Sequence, residues 1–239
     1  RELGIPVVGI TGSSGKTSTK DLTRAVLSQK FHLNATAGNL NNHIGVPLTV
    51  LATEPEHELL ICEMGMSNPG EIEVLAETAG PSAGIITNVG TAHLENMGSR
   101  DAIGLEKGML AEAVPAGGCV VLSAHDDYTE SIRQRTKADV LTAGVGCGQG
   151  SAENVKITFE GCTFDLSFDG KTVATSLSVP AEHMVRNATL AAATGLHLGM
   201  SLDEVAAGLA SAELTGGRLQ RKMIGDFAVL DDSYNANPD

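Results

Sequence analysis

The chain has 239 residues, 42% hydrophobic and 19% charged, which is enough apolar content for a large core and too much for a disordered segment. Its formal net charge of −13, from 16 basic against 29 acidic residues, argues against a nucleic-acid or anionic-membrane surface, so any phosphate site has to be local. With no Trp, two Tyr and five Phe, the core is built from Ala, Val, Leu and Ile, which suits a parallel sheet covered by helices. The cysteines Cys62, Cys119, Cys147 and Cys162 contain no C-x-x-C pair; neither a zinc site nor a disulfide framework is suggested, and a reducing cytoplasm is the expected compartment. No apolar run reaches bilayer length and no signal peptide is visible. The chain starts at Arg1 rather than Met, and the expectation is a piece of a longer protein.

In chain order, residues 5–11 read as a buried strand and 17–28 as the helix after it. Residues 57–64 are the next strand, 71–77 a helix, 82–89 a strand, 101–114 a helix and 118–123 another strand. Such alternation implies right-handed crossovers and a mostly parallel sheet. After Gly150 the pattern changes. Residues 154–159, 162–168 and 172–179 alternate with period two around Gly turns and predict an antiparallel meander. Helices follow over 182–198 and 202–210, the second with a capping box from Ser201 and Glu204. Beyond Gly216-Gly217, residues 226–231 look like the first strand of a further α/β domain, so 1–215 and 216–239 are expected to be separate units.

The strongest local signal is Gly9-Ile10-Thr11-Gly12-Ser13-Ser14-Gly15-Lys16-Thr17, which follows a strand and opens a helix. Glycines let successive N–H groups turn toward phosphate oxygens, and the helix N-terminus adds positive potential. Lys16 would bridge terminal phosphates and the Thr17 hydroxyl would take a Mg²⁺ position, with Gly12, Ser13, Ser14, Gly15 and Ser18 around the nucleotide. Ile10 stands where a strict Walker loop has Gly, which disfavours an ordinary ATPase or kinase. Glu63 ends a buried strand, where an ionised carboxylate is costly unless it meets a cation or donors; a Mg²⁺ beside Thr17 supplies one. His93 follows another strand end on the same side, although imidazole is an uncommon Mg²⁺ ligand. Lys107 by itself reads as a surface lysine.

The Thr-Gly-x-x-Gly-Lys-Thr spacing resembles the loop of the Mur ligase and folylpolyglutamate synthetase family. The run Thr36 to Pro47 (TAGNLNNHIGVP) is similar to the substrate-side loop of the MurF branch, which makes Asn39, Asn41 and Asn42 substrate-side candidates; an Asn/Gly loop capping a helix near Val46 is the plainer alternative. The resemblance implies that Glu63 coordinates the metal between the β- and γ-phosphates. It places His93 at a second metal site and makes Lys107 that metal's other ligand once carbamylated. His183-x-x-x-Asn187 is similar to a family helix start whose Asn faces adenine, with His183 ordering the local backbone. Arg218 and Asp232 match positions that reach the nucleotide phosphates and the ribose, and the text of residues 234–238 is again of the MurF type.

The implied activity is ATP-dependent amide formation through an acyl phosphate, with Lys16, Lys107 and His93 closest to the chemistry. ATP and two Mg²⁺ are the implied cofactors; UDP-N-acetylmuramoyl tripeptide and D-alanyl-D-alanine are the implied substrates. A monomer without nucleic-acid or membrane partners is expected, and the isolated chain is expected to bind nucleotide weakly without turnover. The rivals are a sibling Mur ligase, a folylpolyglutamate or cyanophycin synthetase, and a non-catalytic nucleotide-binding scaffold.

Overall fold

The computed structural model describes residues 4–225 and 227–234. The first half comprises β1 (Val7–Thr11), α1 (Lys16–Leu27), β2 (Leu33–Ala35), α2 (Gly45–Leu51), β3 (Leu59–Glu63), α3 (Glu71–Ala79), β4 (Ala83–Ile86), α4 (Leu94–Met97) and α5 (Arg100–Ala113). There follow β5 (Cys119–Ser123), α6 (Thr129–Arg133), β6 (Asp139–Val145), β7 (Gly150–Thr158), β8 (Gly161–Phe168) and β9 (Lys171–Leu177). The chain continues through α7 (Glu182–His197), α8 (Leu202–Ala210), β10 (Gln220–Ile224) and β11 (Phe227–Asp231).

Nine strands form one sheet in the order β2-β3-β1-β4-β5-β6-β7-β8-β9. Every pairing from β2 to β7 is parallel, and β7-β8-β9 is antiparallel. The expected meander is therefore present, but as a continuation of the parallel sheet through the β6–β7 pair. Strand periodicity divides the core: Val8 and Ile10 pack with Leu22 and Val26 of α1 and with α7, while Val7 joins Leu75 of α3 and Leu110 of α5 on the opposite face. Strands β1, β3, β4 and β5 are buried throughout, which is why they read as unbroken apolar runs.

The sequence reading did not include β2, β6, α4 or α6, and it gave α2 only as the helix near Val46 of the plainer alternative. β2 is three half-buried residues and β6 begins exposed at Asp139, so neither carries a clean period. α2 opens on Gly45 and contains Pro47, and it is initiated by Asn42, whose Oδ1 accepts from the Ile44 and Gly45 amides at 3.0 and 2.9 Å. The plainer alternative for the Asn/Gly loop thus describes its local role correctly. The capping box of α8 is present, Ser201 and Glu204 each accepting the other's backbone N–H. β10 and β11 pair as a separate two-stranded sheet; β10 was not read from sequence, and residues 235–238 lie outside the described ones. Among the described residues no helix is long and apolar enough to cross a membrane.

Candidate functional site

β1 delivers Thr11 to the carboxyl edge of the sheet, where parallel α/β sheets place ligands. The next four residues turn into α1 through Gly12 at φ +152° and Gly15 at φ +76°. A Cβ on Gly12 would lie 1.8 Å from Thr87 Oγ1, so close approach as well as φ demands glycine. The loop is braced from the end of β4. Asn88 O accepts from Ser13 N at 3.0 Å, Asn88 Oδ1 accepts from Ser14 N at 3.0 Å, and Thr87 Oγ1 donates to Ser14 O at 2.6 Å. Sequence reasoning assigned Thr87 and Asn88 no role; their only signal was their place at the end of the strand beside β1. The Lys16 ammonium donates to Gly12 O at 2.8 Å and Ser13 O at 3.3 Å, folded onto its own loop. Burial lowers its pKa, Glu63 opposes that, and Arg218 adds to the lowering.

Glu63 is 1% exposed. Its Oε1 accepts from Thr17 Oγ1 at 3.1 Å and from Asn41 Nδ2 at 2.8 Å, whereas Oε2 is buried with no hydrogen-bond partner. An orphaned carboxylate oxygen beside a threonine hydroxyl, at the foot of an anion-binding loop, fits a hard divalent cation completed by phosphate oxygens and water. Asn41, a substrate-side candidate, orients this carboxylate.

His93 opens α4 in a left-handed conformation, φ +66°. Its pKa is lowered by burial and then by Lys16 and Lys107. Lys107, far from being a surface lysine, is 1% exposed. Burial first and Lys16 second bring its pKa down to about 7, against the opposing pull of Glu106. Lys16, His93 and Lys107 thus form a cluster of basic groups in which His93 and Lys107 are shifted toward their neutral forms. As unmodified side chains they do not fit a second cation, and no group of three His, Cys, Asp or Glu residues among the described residues is arranged to hold one.

Two cavities meet at the loop. One, of about 680 Å³, is lined by Lys16, Asn41, Asn42, His93 and residues 65–71. The other, of about 690 Å³, is lined by Ser14, Gly15, Ser18, His183, Asn187, Arg218 and Asp232. The Asn187 side chain stands against Gly15, where an added Cβ would meet it at 3.0 Å. Arg218 has a buried, unpartnered Nε and lies 4.5 Å from the Tyr234 ring centroid, while Asp232 Oδ1 accepts from Leu219 N at 3.3 Å. Gly12, Ser13, Thr17 and Glu63 are buried, and they support the loop from beneath. One expectation is not met. His183 makes no hydrogen bond to backbone among the described residues; it faces the second cavity, and the turn before α7 is carried by Ala181 instead. Asn39 is exposed and outside the lining of both cavities.

The Mur ligase middle domain matches residues 10–195 of the chain. The chain is 41% identical over 244 residues to the UDP-N-acetylmuramoyl-tripeptide–D-alanyl-D-alanine ligase of Mycobacterium tuberculosis, covering 99% of this chain and 47% of that protein. A crystal structure of MurF from Acinetobacter baumannii superposes with a TM-score of 0.95 at 34% identity, covering 99% of this chain and 52% of the other. MurF from Thermotoga maritima in complex with ADP superposes with a TM-score of 0.89 at 28% identity, covering 99% of this chain and 55% of the other. The chain spans about half the length of the curated relatives it matches. With the phosphate loop and the orphaned strand-end carboxylate in place, the chain belongs to the Mur ligase family and carries that family's middle domain.

Proposed function

We propose that the full-length polypeptide is an ATP-dependent ligase that joins D-alanyl-D-alanine to UDP-N-acetylmuramoyl tripeptide in the cytoplasm, as a monomer. The observation that carries this reading is the position of the loop between two cavities: Lys16 lines one, and Ser14 and Gly15 line the other. Nucleotide held along Ser14, Gly15, Asn187, Arg218 and Asp232 would direct its terminal phosphate toward Lys16 and the first cavity, where the acceptor carboxylate would wait. A carboxylate oxygen attacks the γ-phosphorus as the bond to ADP breaks; the dipeptide amine then attacks the acyl carbon and phosphate leaves. Lys16 exchanges its bonds to Gly12 O and Ser13 O for phosphate oxygens. Thr17 and Glu63 would hold a Mg²⁺, which supplies charge neutralisation on the transferring phosphoryl group. His93 and Lys107 would hold a second once the neutral Lys107 amine has added CO₂ and lost a proton, turning the basic cluster into one with an anionic ligand. Residues 216–239 are read as the linker and first strand of the next domain.

The test is phosphate release by the full-length polypeptide with Mg-ATP and UDP-N-acetylmuramoyl tripeptide, with and without D-alanyl-D-alanine. Release that requires the dipeptide and vanishes in Lys16→Ala supports the ligase; release indifferent to every amine tried replaces it with an ATPase. The 239-residue chain alone is expected to bind nucleotide weakly and not turn over.

A further inference from the structure

The loop over residues 67–70 forms one wall of the cavity that Lys16 and His93 also line. Part of its anchoring is local: Glu71 Oε2 accepts from Ser67 N at 2.6 Å and Asn68 N at 3.1 Å. The rest comes from across the fold. Glu106 on α5 is 6% exposed, and its two carboxylate oxygens separately accept from Gly70 N at 2.8 Å and Ile72 N at 2.7 Å. Gly70, at φ +84°, is the N-cap of α3 and has no cap from its own side chain, so a carboxylate from another helix performs that task. On α4, Asn96 Nδ2 donates to Ser67 O at 3.1 Å.

A helix start needs no such device. A local Ser or Asp would cap α3 without desolvating an ionised group, and burying a carboxylate costs more than exposing one. The arrangement does something a local cap cannot: it joins the wall to the two helices that carry the candidate chemistry. α4 opens at His93, and Glu106 immediately precedes Lys107 on α5. We infer that Glu106 is a positioning residue whose bonds to the Gly70 and Ile72 amides, seconded by Asn96 on Ser67, fix the acceptor-side wall relative to His93 and Lys107. The inference rests on the reading that this cavity takes the acceptor.

In the full-length polypeptide, Glu106→Gln keeps the size and one acceptor oxygen, and Glu106→Ala removes both. The expected result is a graded rise in the acceptor KM, about tenfold for Gln and more for Ala, with the ATP KM held within about twofold. Asn96→Ala shifts the same KM by a smaller factor in the same direction. Acceptor and ATP KM values that rise together, or a fall in Tm with both unchanged, would overturn the inference. The tether is also read without turnover, by hydrogen exchange at the Gly70 and Ile72 amides of the 239-residue chain. Faster exchange at both in Glu106→Ala supports it, and unchanged exchange at either amide in that variant sinks it even where the ligase reading stands. An inactive wild type would sink that reading instead, and the exchange rates alone would then decide whether the tether exists.

Discussion

Replacing Lys107 by Met tests the basic cluster through stability alone. Lys107 is 1% exposed, and its pKa falls from 10.5 to about 7 in the fold. Between those values the unfolded chain binds a proton that the folded chain has released, so the wild type gains stability as pH rises through this window. A lysine at about 7 folded and about 10.5 unfolded costs the fold roughly 4 kcal/mol at pH 7 and roughly 2 kcal/mol at pH 9. Lys107→Met keeps an unbranched apolar stem and removes the titration. Its stability advantage over the wild type is therefore expected to shrink by about 2 kcal/mol from pH 7 to pH 9, whatever constant packing difference the substitution brings. The assay is urea unfolding at the two pH values in CO₂-free buffer, followed by far-ultraviolet circular dichroism because the chain has no Trp. Wild-type and variant stabilities that keep the same separation at both pH values would refute the reasoning. Added bicarbonate should stabilise the wild type more than the Met variant, since the Lys107 amine, whose pKa is brought down to about 7, is the one the variant lacks.

Gly12→Ala puts a methyl group 1.8 Å from Thr87 Oγ1 at a backbone φ of +152°, and should cost about 3 kcal/mol or more in thermal or urea unfolding. Thr87→Ala in the same chain should recover part of that loss, and a double-mutant cycle showing no coupling would contradict the close packing of the pair. Glu63→Gln keeps an acceptor for Thr17 and Asn41 and removes the charge that would meet a Mg²⁺. Mg-nucleotide affinity, followed by calorimetry in the full-length polypeptide, should fall, and an unchanged affinity would refute the metal role of Glu63.

Much of this protein is written locally. The loop from Gly12 to Thr17 announces itself because a strand, two required glycines, a lysine and a helix start are contiguous in the chain, and the Ser201–Glu204 capping box is legible for the same reason. The parallel class follows from unbroken apolar runs in β1, β3, β4 and β5, whose burial on both faces leaves no alternation to misread. Tertiary structure alone decided what lies far apart in sequence. Thr87 and Asn88 brace the loop from more than seventy residues away, because β1 and β4 are neighbours in the sheet. Lys107 reads as a surface lysine until α5 packs on α3 and the sheet and strips it of water, and the role of Glu106, on which the sequence reading was silent, exists only once the α3 amides meet it. Local propensity and spacing fix which residues can do chemistry, while burial and charge proximity, which exist only once distant segments pack, set the state those residues are in.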